Sequence, residues 1–200
     1  MNERDIQRAS KGLSWLLRHG AGERRLRMDA AGWVDIAEVL GAAKLSREAL
    51  DTVVAENTKS RLQVEGERIR ACQGHSREGM PVTLEALEAS WMPWRGEGSL
   101  WHGTHTDAVP SIAREGLRPQ ERTHVHLAES TASRVGKRAN VGVMLEVSPP
   151  RVFAHGLGIF RSPNGVVLAR EVPPDCIVGV VGVSQNGRAR EAELRALFAR

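Results

Sequence analysis

Four short clusters in this 200-residue chain carry side chains able to do chemistry. The first is Arg18-His19, at the end of a segment with helical apolar spacing. Cations in a last helical turn complement the helix dipole, and the same pair can clamp an anion, with the dipole helping to keep the imidazole protonated. The second is Arg70 in RIRACQGHS, followed closely by Gln73, Gly74, His75 and Ser76. The third is Leu100–Thr104, LWHGT, where His102 ends an apolar strand and Gly103-Thr104 would let a ligand approach backbone amides. The fourth is Arg122–Ala128, RTHVHLA. Alternation puts His124 and His126 on one strand face and Val125 and Leu127 on the other, and two imidazoles on one face point to something polar or ionic bound there. Each cluster also has a plainer reading, as a solvated strand arginine or a satisfied core histidine.

Several chemistries find no support. His102, His105, His124 and His126 have only Asp107 and Glu129 as nearby carboxylates, and neither completes a zinc signature, so no metal is expected. Cys72 and Cys176 are far apart and lack C-x-x-C spacing, which argues against a disulfide framework or a thiolate metal site. There is no phosphate-binding G-x-x-x-x-G-K-[ST] loop, no G-x-G-x-x-G after a strand and no nucleophile elbow for a serine triad. The 28 cations exceed the 24 anions by four, and all but Lys11, Lys44, Lys59 and Lys137 are arginines. The guanidinium fork suits bidentate phosphate contact, so an anionic partner is expected. No run approaches the roughly 18 apolar residues of a membrane span. MNERDIQRAS lacks the apolar core of a signal peptide, so a cytoplasmic protein is expected.

These clusters need elements to position them. Ile6, Ala9, Leu13, Leu16 and Leu17 predict a helix over Asp5–His19, stopped by Gly20. Short helices follow over Asp35–Ala43 and Ser46–Glu56, the second with Ser46 as N-cap. RLQVEGERIRA then alternates around a turn at Glu65-Gly66-Glu67, with Leu62, Val64, Ile69 and Ala71 inward and Arg61, Gln63, Arg68 and Arg70 outward. Three helices and a two-stranded wing make residues 1–80 a winged-helix lobe. Residues 81–98 form a linker with a short helix near Leu84–Met92 and turn residues Pro93, Gly96 and Gly98. Residues 99–200 are strand-rich, with strands at Ser99–Gly103, His124–Ala128, Val141–Val147, Val166–Ala169 and Ile177–Val183. Helices are predicted at Asp107–Glu115, near Glu129–Lys137 and from Glu191, giving an α+β lobe.

In this order, Ser10–His19, Gly32–Val34, Arg70–Ser76, Leu100–Thr104, Arg122–Leu127 and Ser162–Val166 resemble the running motifs of the RNA 2′-phosphotransferase family, the tRNA 2′-phosphotransferases. The resemblance spans nearly the whole chain, apart from the arginine-rich Gly22–Arg27 and the tail after Val183. Cys72 and Trp101 stand where many members have Asn and Tyr.

The resemblance implies an N-terminal winged-helix lobe that binds RNA and a C-terminal ADP-ribosyltransferase-like split-sheet lobe that binds NAD+ as co-substrate. It implies that an internal RNA 2′-phosphate, such as one at a tRNA splice junction, attacks the nicotinamide ribose and expels nicotinamide. The ribose 2″-hydroxyl then takes the phosphorus, leaving 2′-hydroxyl RNA and ADP-ribose 1″,2″-cyclic phosphate. By the same resemblance Arg18, His19, Arg70 and Arg122 clamp the phosphate, while His102, Gly103, Thr104 and His126 hold NAD+. Val166 stands where related toxins carry a catalytic Glu, a loss intelligible for a phosphate nucleophile that needs no base. A monomer is expected. The alternatives are a non-catalytic winged-helix binder with a ligand-sensing domain, and an ADP-ribosyltransferase acting on other phosphorylated nucleic-acid ends.

Overall fold

The computed structural model describes residues 2–56, 60–132 and 141–199. The chain divides into two units. The first comprises residues 1–92 together with Glu121–Thr123 and Ser162–Asn164, and the second holds the remainder. Arg122, placed by its position in sequence among the C-terminal strands, therefore belongs with the N-terminal unit.

In the first unit, helix α1 (Glu3–Trp15) is capped by the Asn2 side chain, which accepts from the Asp5 N–H. The expected helix continues to Gly20, but its last five residues, Leu16–Gly20, form a π-turn. Such turns widen the backbone and recur at functional sites. Helices α2 (Ile36–Ala43) and α3 (Arg47–Ala55) follow, with the Ser46 hydroxyl capping α3 through the Ala49 N–H. The antiparallel strands β1 (Val34–Asp35), β3 (Arg68–Ala71) and β2 (Leu62–Glu65) run in that order across one sheet. Leu13, Leu17, Ile36, Val39, Leu50, Val53 and Ile69 fill the core between helices and sheet.

The alternation expected for this hairpin fails in two places. Val64 is 37% exposed although it was assigned inward, and Arg70 is only 3% exposed although it was assigned outward. The short β1 makes β3 a central strand, and the segment that leads through α4 (Leu84–Ala89) brings Ser90 onto Arg70, so the outer face of β3 is also covered.

The second unit is built on two antiparallel sheets. One has the order β10 (Ile177–Gly182), β7 (Val143–Val147), β5 (Leu100–Thr104). The other has the order β4 (Met92–Pro93), β8 (Ile159–Arg161), β9 (Val167–Ala169), β6 (Val125–Leu127). Trp101 of β5 and Ala128, just after β6, exchange two backbone hydrogen bonds that link the sheets. Helices α5 (Val109–Glu115), α6 (Pro149–Ala154), α7 (Gln185–Ala189) and α8 (Glu191–Ala196) complete the unit. Leu100, Val125, Leu127, Leu145, Val167 and Ile177 are core residues, as their strand periodicity requires. The helix expected near Glu129–Lys137 is not formed over 129–132, which are bends and turn, and its remainder, with Lys137, lies outside the described residues, as does Lys59.

The architecture is thus mixed α and β with open antiparallel sheets. Among the described residues no helix is long and apolar enough to cross a membrane.

Candidate functional site

The π-turn delivers Arg18 and His19 to the strand extension that carries Gly74–Ser76. The Ser76 N–H donates to the Arg18 carbonyl at 2.9 Å, and the Ser76 hydroxyl lies 2.8 Å from His19 Nδ1. The same extension binds a second segment on its other side. Arg77 N–H donates to the Glu121 carbonyl, Thr123 N–H donates to the His75 carbonyl, and Ser76 and Arg122 form an antiparallel bridge. One stretch of backbone, residues 75–77, therefore holds Arg18, His19 and Arg122 in register.

Glycines permit this assembly at two points. Gly74 has φ +88°, and a Cβ there would lie 3.5 Å from Arg18 Nε, so the guanidinium rests across a bare backbone. Gly32 has φ +87°, and a Cβ there would stand 2.9 Å from Nε2 of the fully buried His75. The Gly32–Val34 motif is thus partly a seat for the histidine of the QGHS run, a coupling that separate motifs do not reveal.

Arg18 Nε and Nη2 are buried and make no hydrogen bond among the described residues. Burial, with Arg61 and then Arg122 nearby, pushes the Arg18 pKa down to about 10. Gln73 Oε1 and Thr123 Oγ1, on the two segments that meet here, are likewise buried without a partner among the described residues. A buried guanidinium lacking acceptors is costly in an isolated protein and is expected where an anion binds. Burial, then Arg18 and Arg122, lower the His19 pKa, while Glu121 opposes them. The helix dipole is expected to help keep His19 protonated; burial first, and then the neighbouring cations, act in the opposite direction.

Arg61, just before β2, is a cation that motif reasoning missed. It accepts the Cys72 N–H at its carbonyl, which sets it opposite the strand that leads to Gly74. The signal was available in the hairpin register, where Leu62 pairs with Ala71 and so aligns Arg61 with Cys72. Cys72 itself is buried, its thiol pushed up to about 11 by burial and donating to the Ser60 carbonyl.

Arg70 is placed differently from the other three predicted clamp residues. Its Nε donates to Gln63 Oε1 at 2.9 Å, Nη1 to Ser90 Oγ at 2.7 Å and to the Ala31 carbonyl at 3.2 Å, and Nη2 to the Ser90 carbonyl at 3.5 Å. Its guanidinium carbon stacks 4.5 Å from the Trp33 ring centroid. In this arrangement Arg70 is a buttress for β3.

In the second unit, His102 and Thr104 lie on β5, and His102 Nδ1 is 3.0 Å from the His126 carbonyl. A carbonyl only accepts, so Nδ1 carries a proton and donates it to this bond. Gly103 has a packing role: a Cβ there would stand 2.8 Å from Val141 and 3.2 Å from Met144 Sδ, so the space expected for a ligand is filled by the protein itself. His126 lies on β6, paired with Leu168, and His124 is buried just before the strand. Val166 is buried at the entry to β9. Of the carboxylates considered for metal, Glu129 accepts from Trp94 Nε1 and Arg161, and Asp107 accepts from Thr106 and Arg190. Among the described residues, the trio of His, Cys or carboxylate side chains close enough to share an ion is His155, Asp175 and Cys176, where His155 already pairs with Asp175 at 2.8 Å.

Comparison with known proteins bears on this geometry. Residues 3–171 match the family model described as RNA 2′-phosphotransferase, Tpt1/KptA family. A Burkholderia lata protein named "Probable RNA 2′-phosphotransferase" is 42% identical over 180 residues, covering 86% of this chain and 89% of its own length. Proteins of the same name from Pseudomonas syringae pv. tomato and Streptomyces griseus are 38% and 40% identical, covering 90% and 87% of this chain and 97% and 96% of their own lengths.

Proposed function

Because the chain belongs to the RNA 2′-phosphotransferase, Tpt1/KptA family, and is therefore an enzyme, a transferase, we propose that it removes a 2′-phosphate from RNA by transferring it to NAD+. The observation that carries this reading is the buried Arg18 guanidinium, two of whose nitrogens find no acceptor among the described residues, beside the Arg122, Arg61 and His19 that perturb it or are perturbed by it. A 2′-phosphate next to a 3′,5′-diester is densely anionic, and fixed cations are what its placement requires.

In this reading the first unit is a winged-helix lobe and takes the RNA. Arg18 donates Nε–H and Nη2–H to the phosphate, Arg122 and Arg61 neutralise its remaining oxygens, and Ser76 orients the imidazole of His19. The second unit is an ADP-ribosyltransferase-like split sheet and takes the dinucleotide. His102 is the residue assigned to that role, its ring fixed on β5 by the Nδ1–H bond to the His126 carbonyl. Gly103 and Thr104 keep β5 packed behind it, and His126 supplies the carbonyl that sets the His102 tautomer.

NAD+ supplies an electrophilic ribose carbon with nicotinamide as leaving group, and then a neighbouring ribose hydroxyl able to displace the RNA oxygen from phosphorus. The chain's own contribution is charge stabilisation as negative charge shifts over the phosphoryl oxygens, with His19 placed to hand a proton to the departing RNA 2′-oxygen. Once a phosphate dianion occupies the clamp, its charge offsets the neighbouring guanidinium groups and favours imidazolium, so His19 becomes an acid only with substrate present.

The test is incubation with NAD+ and an oligoribonucleotide carrying one internal 2′-phosphate. Stoichiometric loss of the phosphate and release of nicotinamide are expected. Phosphate loss without NAD+, or none at all, would overturn the reading.

A further inference from the structure

Resting on the RNA reading above, we propose that Trp15 and the groove beside it form a stacking platform for a nucleobase flanking the phosphorylated nucleotide. Of the five tryptophans, Trp33, Trp91 and Trp94 are at most 8% exposed and Trp101 is half-buried, whereas Trp15 is 43% exposed. A single exposed apolar side chain is ordinary, as Met92 and Phe153 are here, so Trp15 needs a second observation to mark a site.

Its position supplies one. Trp15 is the last residue of α1 and precedes His19 by four, about one turn before it at the entry to the π-turn. Its ring lies where a Cβ on Gly20 would stand, 2.5 Å from Cζ3, so the absence of a side chain at Gly20 lets the indole lie against the π-turn that carries Arg18 and His19. A base stacked there would sit one turn from its neighbour's 2′-phosphate.

Trp15 opens onto a groove of about 570 Å³, floored by Ala9, Leu13, Leu16 and Ala49 and rimmed by Arg8, Arg24 and Lys44 against one carboxylate, Asp5. The lining charges sum to two positive, with Arg8 paired to Asp5 at 2.6 Å and Arg24 3.8 Å from Glu23. Lys44 keeps a left-handed φ of 52° between α2 and α3, a place that favours glycine, and Arg25, next to Arg24, has φ 53°. The Arg24 N–H donates to the Gly20 carbonyl, which ties this loop to the same π-turn. Arg27, the third arginine of the run, is committed elsewhere, to the Glu38 carboxylate. Apolar floor, exposed indole and cationic rim together match the chemistry of a single-stranded nucleic acid.

The test measures binding without NAD+, so it reads the groove whether or not phosphate transfer occurs. A short 2′-phosphorylated RNA is compared with versions abasic at the nucleotide on the 5′ or the 3′ side. With the native chain, one abasic substitution should weaken binding about tenfold, and the intact RNA should quench indole fluorescence. Trp15→Ala should bind intact RNA about tenfold more weakly, lose most of the quenching, and no longer distinguish intact from abasic RNA. Trp15→Phe should retain most of the affinity, and Arg24→Glu should weaken binding while preserving the abasic effect. Equal sensitivity of the native chain and Trp15→Ala to both abasic positions would overturn the proposal and assign the groove to another occupant. Tight, base-sensitive binding with no phosphate transfer would leave the platform standing and remove the catalytic reading instead.

Discussion

Nδ1 of His19 and the hydroxyl of Ser76 stand 2.8 Å apart, while the Ser76 N–H is bonded to the carbonyl of Arg18. One serine therefore sets both the ring angle of the imidazole and the height of the arginine that precedes it. Ser76→Ala removes only the first restraint, because the backbone bond survives. It should lower kcat for phosphate removal about tenfold with KM for RNA nearly unchanged, since the cations that bind phosphate stay in place. A rise in KM with unaltered kcat would show that Ser76 serves binding, and would remove it as the orienter of His19.

The pKa of His19 is lowered from 6.5 in the free protein by burial and by Arg18 and Arg122. Between that lowered value and 6.5 the unfolded chain holds the proton and the native chain does not, so native stability rises with pH across the window and levels off above it. His19→Gln should flatten that segment of the stability profile. A 2′-phosphorylated oligonucleotide should move the His19 titration, followed by its ring proton resonance, to higher pH, and binding near neutrality should take up a proton. A midpoint that stays put on saturation would mean that the phosphate does not reach His19.

Arg18 carries buried donors, Nε and Nη2, that meet no acceptor among the described residues, so its presence is costly until an anion arrives. Arg18→Met should leave the free protein at least as resistant to denaturant as the native chain, because an apolar stem replaces an unsatisfied charge. The same change should cost about 10²–10³ in kcat/KM, the scale seen when one donor to a developing anion is removed. Inorganic phosphate should raise the unfolding midpoint of the native chain and not of Arg18→Met. A clear loss of stability in phosphate-free buffer would contradict the assignment of Arg18 as a binding group.

What the sequence discloses here depends on whether a residue's job is local. Ser46 capping α3, the turn at Glu65–Glu67 and the inward Val125 and Leu127 follow from short-range rules, and the structure has them. The strand Ile159–Arg161 was not foreseen, because three residues between Gly158 and Ser162 give too little alternation to register. Arg70 defeats the pattern for a different reason: its burial comes from Ser90 and Trp33, 20 residues further on and on a neighbouring strand's approach, which alternation within β3 cannot sense. Arg18 and His19 were legible as a pair, yet the π-turn that aims them was not, since no residue type specifies a five-residue turn at the end of a helix. Gly103 was legible as a small residue, but whether a ligand or Val141 would fill the space depends on a distant segment.

His102 tests the second unit. Its Nδ1–H is held by a backbone carbonyl, so a side chain can be swapped without altering the partner. His102→Asn keeps an N–H directed at His126 but offers no acceptor at the place of Nε2. If that acceptor receives a ribose hydroxyl, KM for NAD+ should rise about tenfold in His102→Asn and His102→Ala alike, with RNA affinity unchanged. Full activity in His102→Asn would show that only the bond to His126 matters and that β5 has a structural part alone.

Arg70 separates two accounts of one motif. As the structure has it, four hydrogen bonds and a stack on Trp33 make its guanidinium an internal brace, and its loss would strand Ser90 and Gln63 in a nearly dry site. Arg70→Ala should therefore destabilise the chain by about 3 kcal/mol, as for other buried charge-assisted networks, and activity should fall in step with the folded fraction. Arg70→Lys should recover little, because an ammonium cannot stack on the indole and reach Gln63 and Ser90 together. Urea unfolding of both variants, read beside phosphate-transfer rates at low temperature where each remains folded, decides the matter. If Arg70→Ala unfolds at the native midpoint yet loses phosphate transfer by 10² or more (about the effect of one lost clamp donor), the guanidinium turns to the substrate and Arg70 joins Arg18, Arg61, His19 and Arg122 at the phosphate.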